Sequence, residues 1–267
     1  MDFTVYPGTP IARLPRVLRP PALLLRNFTP GLRSQRASPS LPDYVYEADG
    51  LATVHFSPFL YDREWSDLYA EMASDWFVGL RADVRWRMCV LTSVARQCGV
   101  LPGSFAEFGV YRAGCAFMIL GTSAIPTSTR FFLFDTFAGF PADSLSESER
   151  AVGLADALAN TSVDYVAQRL SRWQSQITLV EGDVFQTLAA VDTGPLAFVH
   201  MDLNAAAPTR RALEYVHPRL VAGAIMVFDD YGETGLEDQR AVVDEFLSER
   251  PESVIALPTR QGLLIKR

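Results

Sequence analysis

Three aspartates carry the chemistry most readily read from this chain. Phe198-Val-His-Met-Asp202-Leu-Asn204 runs apolar into an acid, and Met226-Val-Phe-Asp229-Asp230-Tyr-Gly232 repeats that pattern about 25 residues later. A strand buried on both faces reads as a continuous apolar run, and the polar residues that end it stand at the rim of its sheet. Two neighbouring strands of this kind bring Asp202, Asp229 and Asp230 together. Carboxylates that close repel one another unless a cation or a shared proton offsets the charge, so Mg2+ or another hard divalent cation is the expected ligand.

Composition narrows what surrounds them. The chain has 267 residues, 49% of them hydrophobic and 21% charged, enough for a large core in one domain with an extension. Its net charge of -7 is uneven: residues 1–40 hold six arginines against Asp2, so the remainder carries -12. An acidic body argues against nucleic acid as a partner. Lys266 is the sole lysine, which excludes an internal Schiff-base or Walker-type lysine. Cys89, Cys98 and Cys115 form no CxxC pair and read as reduced, packed thiols. No apolar run approaches the roughly 18 residues of a membrane helix, so no membrane partner is expected and a cytoplasmic location is.

The elements that must position the acids fall into three stretches. Residues 1–61 hold nine of the 17 prolines and no sustained period, and read as an irregular arm. The arm is a surface tail in the plainer reading and a strap across a neighbouring subunit or the active site in the sharper one. A homo-oligomer is expected. An arginine-rich, acid-poor start also resembles an organellar transit peptide. Residues 62–101 repeat apolar residues at three- and four-residue steps, which predicts two helices closed by Gly99 and Pro102. From residue 102 to 267 strands and helices alternate.

Strands are predicted at 104–110, 130–135 and 177–183 and in the two acid-ended segments, with helices at 113–122, within 147–173, and at 208–220 and 235–249. Such alternation specifies an α/β fold, a doubly wound, mostly parallel sheet with helices on both faces. The last two strands, 253–258 and 262–266, are joined too closely to be parallel. Seven strands ending in an antiparallel hairpin is the Rossmann-like shape of class I methyltransferases.

Ligands of open α/β sheets sit beyond the carboxyl ends of the strands. Glu107-Phe108-Gly109-Val-Tyr111-Arg-Ala-Gly114 occupies that place after the first strand. Gly109 permits close backbone approach, and Glu107 suits a cationic amino-acid end. A dinucleotide fingerprint would need glycine at position 107. Asp135 ends the second strand where ribose hydroxyls are met, followed by Thr136 and Phe137. Asp183 ends the third after Gly182, placed to accept from an adenine amino group.

These segments, with Pro218-Arg-Leu-Val-Ala-Gly-Ala-Ile-Met-Val-Phe-Asp-Asp-Tyr-Gly232, resemble the macrocin O-methyltransferase family over roughly residues 85–250. The resemblance implies S-adenosylmethionine bound by Glu107, Phe108, Gly109, Tyr111, Gly114, Asp135, Thr136, Phe137, Gly182, Asp183 and Asp202. It also implies Mg2+ held by Asp202, Asp229 and Asp230, and methylation of a hydroxyl on a sugar or another small secondary metabolite. Many relatives carry a second aspartate and then Tyr-x-Ser-Thr where this chain has Asn204 and Ala205-Ala-Ala-Pro208. Asp202 is the expected proton acceptor, with His200 beside it as the second catalytic residue. A non-catalytic adenosine-binding module, its acids structural, is the alternative.

Overall fold

The computed structural model describes residues 44–76, 83–122 and 125–267. The expected arm over residues 1–43, and Leu80 in the helical stretch, lie outside them. The chain opens with a two-stranded hairpin of β1 (Tyr46–Ala48) and β2 (Leu51–Thr53), then α1 (Arg63–Trp76) and α2 (Arg85–Cys98). The main sheet comprises β3 (Ser104–Phe108), β4 (Phe131–Asp135), β5 (Ile177–Glu181), β6 (Leu196–Met201), β7 (Leu220–Phe228), β8 (Ile255–Ala256) and β9 (Gly262–Ile265). Between the strands stand α3 (Gly114–Gly121), α4 (Glu147–Ala151), α5 (Val163–Arg169), α6 (Val184–Thr187), α7 (Ala206–Val216) and α8 (Glu237–Leu247).

Strand order is β5-β4-β3-β6-β7-β9-β8, with β9 antiparallel to β7 and β8 and every other pair parallel. The order reverses between β3 and β6, so the crevice at their carboxyl ends is the ligand position of a doubly wound sheet.

Strand residues alternate between two cores. Phe105, Phe131, Leu133, Phe198 and Val227 pack with α1, α2 and α3 on one face; Phe108, Phe132, Phe134, Val199 and Met226 pack with α7 and α8 on the other. Burial on both faces explains the unbroken apolar runs, and each fully buried Phe or Leu contributes roughly 1.5–3 kcal/mol. The same two-residue period sets the polar side chains. Glu107 pairs in register with His200, and both point with Phe105 and Phe198 toward α2 and α3. Asp202 and Asp229 follow on that face at the strand ends.

Three expectations need correction. Residues 46–53 form a hairpin rather than irregular arm, turned by Asp49 (φ 52°) and Gly50 (φ 74°). Asp-Gly is a strong hairpin signal, and the flanking prolines masked it. β7 begins at Leu220, six residues before Met226. The single helical region expected between 147 and 173 is broken into α4, α5 and short turns.

Candidate functional site

The turn after β3 is held by Asp135. Its Oδ2 accepts from the backbone N–H of Val110 (2.6 Å) and Tyr111 (2.7 Å), and its Oδ1 from that of Phe137 (2.6 Å). Three buttressing bonds fix a strained loop in which Tyr111 (φ 49°) and Ala113 (φ 60°) are left-handed. Gly109 (φ 89°) cannot be replaced, because a Cβ there would collide with the carbonyl of Asp202. Cofactor turn and acid strand therefore touch, with Asp202 N–H donating to Phe108 O at 2.7 Å.

Beyond this contact lies a cleft of about 680 Å³. Of the residues read from sequence, Gly109, Tyr111, Asp135, Thr136, Gly182, Asp183 and Asp202 line it. Glycines 109, 139 and 182 line it at positive φ, a backbone conformation that side chains rarely adopt. Four expected cofactor residues do not line it. Phe108 stacks on Phe134 at 4.6 Å in the core, Phe137 is 5% exposed, and Gly114 is buried at the start of α3. Glu107, expected to meet a cationic ligand end, is 1% exposed and faces His200 instead.

His200 is fully buried between two carboxylates, its Nδ1 3.4 Å from Glu107 and its Nε2 3.6 Å from Asp229. Burial alone would lower its pKa, but the flanking acids raise it to about 10. His200 is not among the residues that line the cleft, and its place between two carboxylates suits an internal cation. Burial raises the Glu107 carboxyl, with His200 opposing.

Asp229 is claimed on both oxygens. Arg87 Nη1 lies 2.5 Å from Oδ2, and Gln261 donates to Oδ1 at 2.9 Å. Burial would raise its pKa; the Arg87 charge and His200 hold it below the ordinary range. Arg87 also pairs with Asp49 at 2.8 Å and Asp230 at 3.4 Å, and Arg260 reaches Asp49 at 2.6 Å. Five carboxylates (Glu107, Asp49, Asp202, Asp229, Asp230) thus meet three cations (His200, Arg87, Arg260), and Arg260 also pairs with Glu233. The surplus falls on Asp202, raised well above its usual value by burial and by Asp229 and Asp230, and on Asp230, raised to about 6 by burial and Asp229. Both therefore favour gaining a cation or a proton.

Asn204 sits beside them in a left-handed conformation (φ 55°), its Nδ2 donating to Asp202 Oδ1 at 2.9 Å and to Asp202 O at 3.1 Å. A second aspartate there would have no proton to donate. It lines the cleft with Leu203 and Pro208.

Sequence reasoning named none of Arg87, Asp49, Arg260 and Gln261 as partners of the acids. The Asp-Gly turn was the available signal for Asp49. The others come from helix and loop positions whose facing only the packing defines.

The sequence profile of macrocin O-methyltransferases (TylF) matches residues 77–254, two thirds of the chain. The chain belongs to the macrocin O-methyltransferase family. This family member is 28% identical, over 73% of its length and 74% of the other's, to 8-demethyl-8-(2,3-dimethoxy-alpha-L-rhamnosyl)-tetracenomycin-C 4'-O-methyltransferase of Streptomyces olivaceus. Among solved structures, its fold is shared by CalS11, calicheamicin methyltransferase (22% identity, TM-score 0.61, 79% of this chain and 94% of that one). It is shared too by the O-methyltransferase NovP (20% identity, TM-score 0.59, 67% and 79%). This macrocin-family protein is an O-methyltransferase that uses S-adenosylmethionine. Among its described residues no helix is long and apolar enough to cross a membrane.

Proposed function

We propose that the protein transfers the methyl group of S-adenosylmethionine to a hydroxyl of a sugar or sugar-bearing secondary metabolite, with Asp202 as proton acceptor and a divalent cation at the acid cluster. The observation that carries this reading is the meeting of two half-sites. The glycine-walled cleft ends at Asp202, and Asp202 carries the unmet negative charge. The cofactor supplies an electrophilic methyl on a sulfonium, and the chain's task is to bring an oxygen into line with it. Asp135 fixes the turn through three amides, while Gly109, Gly139 and Gly182 permit the positive-φ turns that line the cleft.

On the acceptor side, Asn204 holds Asp202 Oδ1, leaving Oδ2 to take the hydroxyl proton. Oxygen donors with surplus charge at Asp202 and Asp230 suit Mg2+, and Asp229 Oδ2 keeps a lone pair beside Arg87. Such an ion would lower the hydroxyl's pKa. The sugar acceptor is supported by the tetracenomycin relative, whose name places its methyl on the rhamnosyl 4' oxygen.

The test is calorimetric titration with S-adenosylmethionine, followed by a screen of nucleotide-activated deoxysugars and glycosylated polyketides for a methyl gain by mass spectrometry. Cofactor binding together with a methylated sugar product is the expected result. Cofactor binding with methylation only of aglycone phenols would overturn the sugar reading, cofactor binding with no methylated product would favour the non-catalytic alternative, and no binding at all would overturn both.

A further inference from the structure

The N-terminus of α7 has no cap of its own. Its N-cap residue is Ala205, which offers no side-chain acceptor to the first amides of the 11-residue helix. The acceptor comes from elsewhere in the chain. Glu149 on α4 is 2% exposed, and its Oε1 accepts from Ala206 N–H at 2.6 Å while its Oε2 accepts from Ser146 N–H at 2.8 Å. One buried carboxylate thus joins two elements separated by 57 residues.

Both segments line the cleft. The excursion bearing α4 supplies Phe140, Pro141, Ser144 and Leu158 to the cofactor side, and the turn ahead of α7 supplies Asp202, Leu203 and Asn204. Further bonds tie the excursion down. Ser144 Oγ donates to Asp183 Oδ2 at 3.4 Å, and Ser146 Oγ donates to Asp238 Oδ2 at 3.0 Å. Asp238 lies in the first turn of α8, the helix that follows Asp229 and Asp230. The cofactor wall is therefore bonded to the first turns of α7 and α8, the helices that follow the two acid-ended strands.

We propose that Glu149 is a positioning residue for methyl transfer: it makes the placement of the Asp202–Asn204 turn depend on the seating of the cofactor wall. The proposal rests on cofactor occupancy of the cleft. A cofactor in the cleft rests on this wall, and Glu149 carries the wall's ordering to Ala206 and so to the acceptor side.

The test is amide hydrogen exchange in the full chain, with and without S-adenosylhomocysteine as the probe, read over peptides covering 137–160 and 203–210. In the wild type the probe slows exchange in both segments. In Glu149→Ala it slows the first but not the second, where exchange runs roughly tenfold faster than in the bound wild type. Glu149→Gln keeps one carbonyl acceptor and recovers part of the protection, which guards against a variant that merely folds poorly. Cofactor affinity measured by calorimetry on the same samples stays within about threefold of wild type. Protection of 203–210 that is equal in all three proteins overturns the coupling. A wild type that binds no probe overturns the occupancy on which the proposal stands, and calorimetry separates that failure from the first.

Discussion

Arg87 Nη1 stands 2.5 Å from Asp229 Oδ2, at the end of a helix-to-sheet reach of 142 residues in sequence. The strand-end acids therefore already hold part of the positive charge they need. The chain neutralises Asp229 with its own guanidinium and leaves Asp202 and Asp230 in surplus.

Removing that guanidinium strands a buried carboxylate. Arg87→Met is expected to destabilise the fold by about 3–5 kcal/mol, because breaking a buried ion pair leaves an uncompensated charge. Urea denaturation checks this, and a loss below 1 kcal/mol would show that Gln261 and His200 satisfy Asp229 without Arg87.

The surplus charge predicts a metal response. Exhaustive chelation is expected to abolish methyl transfer and added Mg2+ to restore it, while calorimetric affinity for S-adenosylmethionine changes little. Asp230→Asn should weaken the Mg2+ dependence measured in the same assay. Full activity after chelation would mean that Arg87 and a proton shared by Asp202 and Asp230 suffice.

Asn204 supplies Asp202 with a donor that an acid at that position lacks. Asn204→Ala is expected to lower kcat roughly tenfold with little change in cofactor affinity, the scale of one lost hydrogen bond to a charged group. Asn204→Asp places a like charge against Asp202 and should be the worse variant unless Mg2+ compensates. Steady-state kinetics at several Mg2+ concentrations distinguishes these outcomes.

At the opposite end of the sheet, Glu252 is 4% exposed, and Lys266 Nζ donates to it at 2.7 Å. Burial alone would raise its carboxyl, but Lys266 and the Arg267 amide hold it down to about 2 from an ordinary 4.5. A depressed acid stabilises the fold fully above its unfolded value and loses that contribution as pH falls from about 4.5 toward 2. Burial and Lys266 lower the neighbouring His217, which weakens the fold in the same direction below its ordinary 6.5. Thermal melts from pH 7 to pH 2 should therefore show a shallower acid slope in Glu252→Gln than in wild type.

Much of the fold was legible because it is written in local periods. The apolar runs of β3, β4 and β6 could only be strands buried on both faces, and their terminal acids could only stand at the rim. That logic placed Asp135, Asp183 and Asp202 on the cleft. It failed for Phe108 and Phe137, where a motif position does not say which face of the strand or turn is buried. It failed also for His200, whose character is set by the register that puts Glu107 on one side and Asp229 on the other.

The sequence by itself determined the alternating α/β architecture and the acids that end its strands, since each follows from short-range pattern and strand-end position. Only the tertiary structure decided what neutralises those aspartates and what caps α7. The contacts Arg87–Asp49, Arg87–Asp229, Glu149–Ala206 and Arg260–Asp49 join residues 38 to 211 apart in the chain. No local spacing encodes such contacts, because they exist only once two separately formed elements have packed.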